Sequence, residues 1–176
     1  GCDLASLAPG VYTNRTGETN VYTRSSGRTF NQGNYVFLIN GNLHIQGEMR
    51  AVSTPNASTL VVSVSGDITV DKGVGGSPSS SSTHLEGLFS ADSDFILESE
   101  GSEGDNCPSN RDNRLNIKGA IVTNAALGGG TFQNNRTLCD DNSDHPTFYI
   151  EESPFLILNF PDFLKHPSFV WQEVAP

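Results

Sequence analysis

Tyr35-Val36-Phe37-Leu38-Ile39-Asn40-Gly41-Asn42-Leu43-His44-Ile45 is the stretch on which the fold turns. An apolar run ends at Asn-Gly-Asn and gives way to a short strand of apolar-x-apolar form. Leu60-Val61-Val62-Ser63-Val64-Ser65-Gly66-Asp67-Ile68-Thr69-Val70 repeats that order, with Gly66 lying 25 positions after Gly41. Ser93-Asp94-Phe95-Ile96-Leu97 follows after 27 more, with Ser in place of Gly, and Gly119-Ala120-Ile121-Val122 after another 26. The last of these is preceded by the alternating Leu115-Asn116-Ile117. Phe148-Tyr149-Ile150 and Phe155-Leu156-Ile157-Leu158 supply the final apolar strands.

A near-constant step is the signature of a repeat architecture. In a β-solenoid each coil contributes short strands whose alternate side chains face a narrow interior, and the coils stack because one alone cannot bury its apolar face. Gly or a short polar residue turns the corner between strands. The reading is therefore all-β: a parallel β-solenoid with coils of about 25 residues and long loop insertions. It predicts a stack of Leu43, Ile68, Phe95 or Ile96, and Ile121. The alternative is a β-sandwich in which Gly-Asn and Gly-Asp mark hairpin turns. One domain spans 1–176, with strands or a cap over 1–34, coils over 35–158 and an aromatic cap over 159–176.

Composition agrees. Only 35% of the 176 residues are hydrophobic and 17% are charged, while 18 are glycine, which suits short strands joined by turns. The net charge of -10 argues against a phosphate backbone or an anionic membrane as partner. No stretch reaches the eighteen or so apolar residues of a membrane span. The start, Gly1-Cys2-Asp3, reads as a mature or trimmed end, and its context resembles the end of a lipoprotein signal apart from Gly1.

Three insertions break the rhythm: the Gly/Ser-rich 73–83, expected to be a mobile loop, and the polar segments 100–114 and 127–143. Such loops are where a solenoid binds partners. Cys107 and Cys139 lie in the two polar insertions; a disulfide between them would stabilise the fold by ~3 kcal/mol and place its maturation in an oxidising compartment. The same loops gather Asp105, Asn106, Asp112, Asp140, Asp141, Asn142 and Asp144, an oxygen-rich set that makes calcium the one candidate cofactor, although no EF-hand or nonapeptide spacing is present. At the N-terminus Val11-Tyr12-Thr13 and Val21-Tyr22-Thr23 read as short strands covering the first coil. At the C-terminus Phe160, Phe163, Phe169 and Trp171 form a dense aromatic group, read as a cap or an interface, with a short helical turn over 161–167.

Catalysis finds little footing. His44, His84, His145 and His166 are scattered without metal-binding spacing, and His44 is expected to face solvent. No G-x-S-x-G is present, and Glu151-Glu152 are strand neighbours that point to opposite faces. Asn14-Arg15-Thr16, Asn56-Ala57-Ser58 and Asn135-Arg136-Thr137 fit the N-glycosylation pattern.

With its motif of an apolar run, Gly-[Asp/Asn] and Ile-x-Val, the chain resembles the bactofilins, which are right-handed β-solenoids. It also resembles secreted, pilus-associated bacterial β-solenoid domains in which such a core precedes a Pro- and Trp-containing tail, here from Pro154 through Trp171-Gln172-Glu173. The resemblance implies a right-handed stack and no catalytic residues. The expectation is a non-catalytic, extracellular structural or adhesive module of a bacterial surface fibre or pilus-like assembly. Its partners would be copies of itself or other surface proteins, and glycans in second place, with neither nucleic acid binding nor membrane insertion. A glycan-binding or glycan-cleaving β-helix is the alternative.

Overall fold

The computed structural model describes residues 7–51, 58–101, 112–124 and 129–165. Thirteen strands dominate them, and every pair of strands is parallel. Hairpins would give antiparallel neighbours, so the sandwich alternative fails. The antiparallel contact among the described residues is an isolated bridge between Gly76 and Arg114.

The chain visits three ladders in turn. The first holds β1 (Gly10–Thr13), β4 (Asn34–Ile39), β7 (Thr59–Val64) and the second halves of β9 (Leu85–Ala91) and β11 (Leu115–Val122). The second holds β2 (Asn20–Tyr22), β5 (Asn42–Ile45), β8 (Ile68–Val70), β10 (Phe95–Leu97) and β12 (Phe132–Asn134). The third holds β3 (Arg28–Phe30), β6 (Met49–Ala51), the first halves of β9 and β11, and β13 (Phe148–Glu151). β9 and β11 thus turn a corner mid-strand, at Gly87 and Gly119. Both have positive φ (148° and 137°), and a Cβ on Gly119 would lie 2.0 Å from the Gly87 carbonyl oxygen beneath it.

Period-2 alternation fills the interior. Tyr12, Phe37, Val62, Phe89 and Ile121 form one column, and Val21, Leu43, Ile68, Phe95 and Phe132 a second. Met49, Leu85 and Ile117 form a third. Val62, Ile68, Leu85, Phe89 and Phe95 are wholly buried, each such side chain contributing about 1.5–3 kcal/mol on leaving water. Rings stack layer on layer, Tyr12 on Phe37 at 5.5 Å and Phe95 on Phe132 at 5.7 Å. The expected column through Leu43, Ile68 and Phe95 is present, but Phe132, not Ile121, continues it.

The Gly-Asx motif is the corner before the second ladder. The Asp67 amide donates to Asn42 Oδ1 (3.0 Å), the Asp94 amide to Asp67 Oδ1 (3.0 Å) and the Thr131 amide to Asp94 Oδ1 (2.7 Å). Asn42 Nδ2 reaches down to Asn20 Oδ1 at 3.1 Å. Each layer's short polar side chain thereby satisfies the backbone of the layer above, which explains why a longer side chain does not serve there.

The N-terminal strands β1–β3 join the ladders themselves, in register with β4–β6. At the other end Phe155–Leu158 is not a strand. It lies in a short helix, α1 (Pro154–Leu158), because Pro154 presets helical φ and offers no N–H to a ladder. A second helical turn, α2 (Asp162–Lys165), follows. This tail runs along the outer flank of the first ladder: Thr59 Oγ1 donates to the Asn159 carbonyl at 2.7 Å, and Pro161 is buried.

Candidate functional site

Two places deserve comparison, the insertion loops and the N-terminal end of the stack. The loops converge on a buried arginine. Arg136 donates through Nε to the Glu98 carbonyl (3.1 Å), through Nη1 to those of Val74 (2.8 Å) and Asn113 (2.9 Å), and through Nη2 to that of Asp71 (2.8 Å). It is 5% exposed. Burial depresses its pKa to about 10, with Asp112, Asp71 and Glu98 opposing the shift. Asp112, also buried, accepts from the Glu100 amide (2.6 Å), the Thr137 amide (2.8 Å) and Ser99 Oγ (2.7 Å). These two residues clasp three insertions to the stack.

The Gly/Ser-rich loop is held in the same way. Arg114 Nη1 donates to the Pro78 carbonyl, and Asn116 Nδ2 donates to the carbonyls of Ser80 and Ser82. His84 at its end is 2% exposed, with Nδ1 accepting the Asn116 amide at 3.0 Å. That bond fixes the neutral tautomer protonated at Nε2. Desolvation lowers the His84 pKa, helped by Arg136, Arg50 and Arg114 and opposed by Glu48. The expectation of a loose loop therefore gives way: side chains of the neighbouring layer capture its carbonyls.

Of the residues singled out for calcium, the described ones, Asp112, Asp140, Asp141, Asn142 and Asp144, do not gather into one site. Asp112 is occupied as described, and Asn142 accepts the Leu138 amide and donates to Thr137 Oγ1. Asp140, Asp141 and Asn142 lie in a 3-10 helix, Cys139–Ser143, that Asp144 ends. Among the described residues no three His, Cys, Asp or Glu side chains converge. Asp105, Asn106 and Cys107 lie outside the described residues. The expected disulfide is not seen, since Cys139 is a free, half-buried thiol at the positive-φ start of that helix. Of the aromatic tail, Phe160 is half-buried, the Phe163 side chain is outside the described set, and so are Phe169 and Trp171. Asn14 of the first glycosylation pattern has its amide engaged, donating to the Glu18 and Asn40 carbonyls and accepting the Asn40 amide. His44 does face outward, stacked on Tyr22 at 4.5 Å.

The N-terminal end is different in kind. A cavity of about 710 Å³ opens there into the interior of the stack. Tyr12, Val21, Phe37, Leu43, Met49 and Val62 form its apolar wall, and the β1–β2 loop with Asn14, Arg15 and Glu18 forms its polar rim. This is the size of a ligand pocket, yet its walls are the core columns themselves. Among the described residues the strands β1, β2 and β3 around it each have a parallel partner on one side only. No signal for this end was available in the sequence beyond the Val-Tyr-Thr pair, whose ten-residue spacing puts Tyr12 inside and Tyr22 outside. No protein-family model, curated protein or solved structure matches the chain.

Proposed function

We propose that the chain is a right-handed β-solenoid with a basic coil of about 25 residues, acting as a non-catalytic structural or adhesive module of an extracellular surface fibre or pilus-like assembly. The observation that carries this reading is the open N-terminal end. Among the described residues three parallel edges with no further strand partner surround a piece of core lining a cavity, and proteins that stay single blunt such edges. Register steps of 25 between Val36 and Val61 and 27 between Val61 and Leu88 support the coil length. The Gly-Asx likeness to exported and polymer-forming solenoids supports the handedness and the location. Polar side chains that would be candidates for chemistry, Asp112, Arg136 and His84, are instead tied to backbone groups of neighbouring layers.

Light scattering after size exclusion, across a range of protein concentrations and with and without calcium, tests the proposal. A mass that grows with concentration and is indifferent to calcium supports it. A monomer at every concentration overturns it. Growth only with calcium would overturn the open edges as its basis and return the Asp-rich loops as the site of assembly.

A further inference from the structure

We infer that the partner of the open end is the opposite end of a second copy, giving a polar, head-to-tail stack; this rests on the assembly reading above. Among the described residues the C-terminal layer also has three edges without a further strand partner, the second half of β11, β12 and β13. Its core residues Ile121, Phe132 and Phe148 are only partly buried, as Tyr12 and Val21 are at the first layer. Bringing the last layer of one copy onto the first layer of the next continues all three ladders in the parallel sense. Ile121 then meets Tyr12, and Phe132 meets Val21, as successive members of the columns already described.

Charge selects this pairing over like-to-like contacts. Residues 10–30 carry Arg15, Arg24 and Arg28 against Glu18, a net of +2 in a chain of net charge -10. Residues 137–152 carry Asp140, Asp141, Asp144, Glu151 and Glu152 with no Lys or Arg, a net of -5. Arg15, Glu151 and Glu152 are all exposed. Two C-terminal ends facing each other would set five acids against five, whereas head-to-tail contact opposes unlike charge. Arg28 adds to the positive charge of this end while being held by its own chain: Nη2 donates to the Leu7 carbonyl at 2.7 Å and the guanidinium lies over the Phe30 ring at 4.6 Å. Its column ends at the far end in Ile150, next to Glu151. A heterologous contact of this kind does not close on itself and makes filaments.

The experiment uses two charge-reversed chains: Arg15→Glu with Arg24→Glu, which takes residues 10–30 from +2 to -2, and Asp140→Lys with Glu151→Lys and Glu152→Lys, which takes residues 137–152 from -5 to +1. Circular dichroism and thermal melting confirm that each folds. Each alone should need at least about tenfold more protein to assemble, because one of its ends now repels the other. An equimolar mixture should recover assembly, since the reversed N-terminal end of one variant suits the reversed C-terminal end of the other. With five strands per ladder at ~4.8 Å each, electron micrographs of the wild-type assembly should show an axial repeat of roughly 24 Å. Assembly of either variant at the wild-type concentration, a mixture that fails to recover, or a doubled repeat from like-to-like contacts would each overturn the polar stack while leaving the assembly reading intact. A wild-type chain that never assembles removes both.

Discussion

Replacing Arg136 with Met takes away the donor that four backbone carbonyls share, and the structure sets the size of the effect. A hydrogen bond from a charged donor is worth about 1.5 kcal/mol at the low end of its range, so the four carbonyls of Asp71, Val74, Glu98 and Asn113 lose about 6 kcal/mol together. Against that, Met does not bury a charge. The fall of the Arg136 pKa from 12.5 to about 10 corresponds to about 3 kcal/mol of desolvation that the variant escapes. The balance is a loss of about 3 kcal/mol. At a urea slope of roughly 2 kcal/mol/M, the unfolding midpoint should fall by about 1.5 M. Lys keeps the charge and its desolvation but offers one compact donor centre where the carbonyls need a planar fork, so Arg136→Lys should fare no better than Met. A Lys variant as stable as wild type would show that charge, not fork geometry, holds the loops. A Met variant within about 0.5 kcal/mol of wild type would refute the clasp altogether.

Gly119→Ala should cost roughly 3 kcal/mol or more, because positive φ and contact with the Gly87 carbonyl act together; Gly129→Ala, also at positive φ but with open space around it, should cost only about 1 kcal/mol. Equilibrium melts of the two variants make the comparison, and equal losses would refute the close approach at the corner. His84 is neutral when folded and its pKa lies below 6.5, so its contribution is full above pH 6.5 and is lost as pH falls through the folded value while the unfolded chain takes up the proton. His84→Asn retains an acceptor for the Asn116 amide but does not titrate, so its melting temperature should fall less steeply than wild type as pH drops below 6.5; parallel curves would sink the assignment.

How much of this was legible depends on whether the partner of a side chain leaves a mark in the sequence. The corners at Gly41-Asn42, Gly66-Asp67 and Ser93-Asp94 were, because side chain meets backbone at a constant step and the apolar strand after each is unmistakable. The fourth was misplaced: Gly119 looked like the next Gly, yet the true successor is Gly130-Thr131, pushed out of step by an insertion, as the pairing of Phe95 with Phe132 shows. A second motif would have warned of it. Leu85-Glu86-Gly87-Leu88-Phe89 and Ile117-Lys118-Gly119-Ala120-Ile121 match position for position, and they stack as such, with Lys118 Nζ 4.0 Å from Glu86 Oε1. Arg136 could not be found this way. Its partners are carbonyls, which every residue has, so nothing in Asn135-Arg136-Thr137 separates a buried clasp from a surface glycosylation pattern. Asp112 was ambiguous for the related reason that carboxylates bind amides and calcium with the same oxygens, and the structure shows its amide partners.

The polar ladder and the end surfaces hold layers together by different means. Asp67 and Asp94 are carboxylates in consecutive layers, tolerable because an amide of the next layer stands between them and donates to the lower one. Asp94 is finished by Thr131, whose hydroxyl donates back to it, and by Gln133 Nε2 at 2.8 Å. Among the described residues Thr131 places no further carboxylate above itself, so the carboxylate ladder runs no further than Asp94. What does remain unfinished at that end is the backbone edge, the apolar column and the acidic charge. Side-chain ladders therefore bind the layers within one chain, while in the proposed stack edges, columns and charge act between chains. A contact built on the second set alone is weaker and more sensitive to salt than the stacking inside one chain, so if the proposed assembly forms, raising ionic strength should dissolve it into folded monomers without unfolding them.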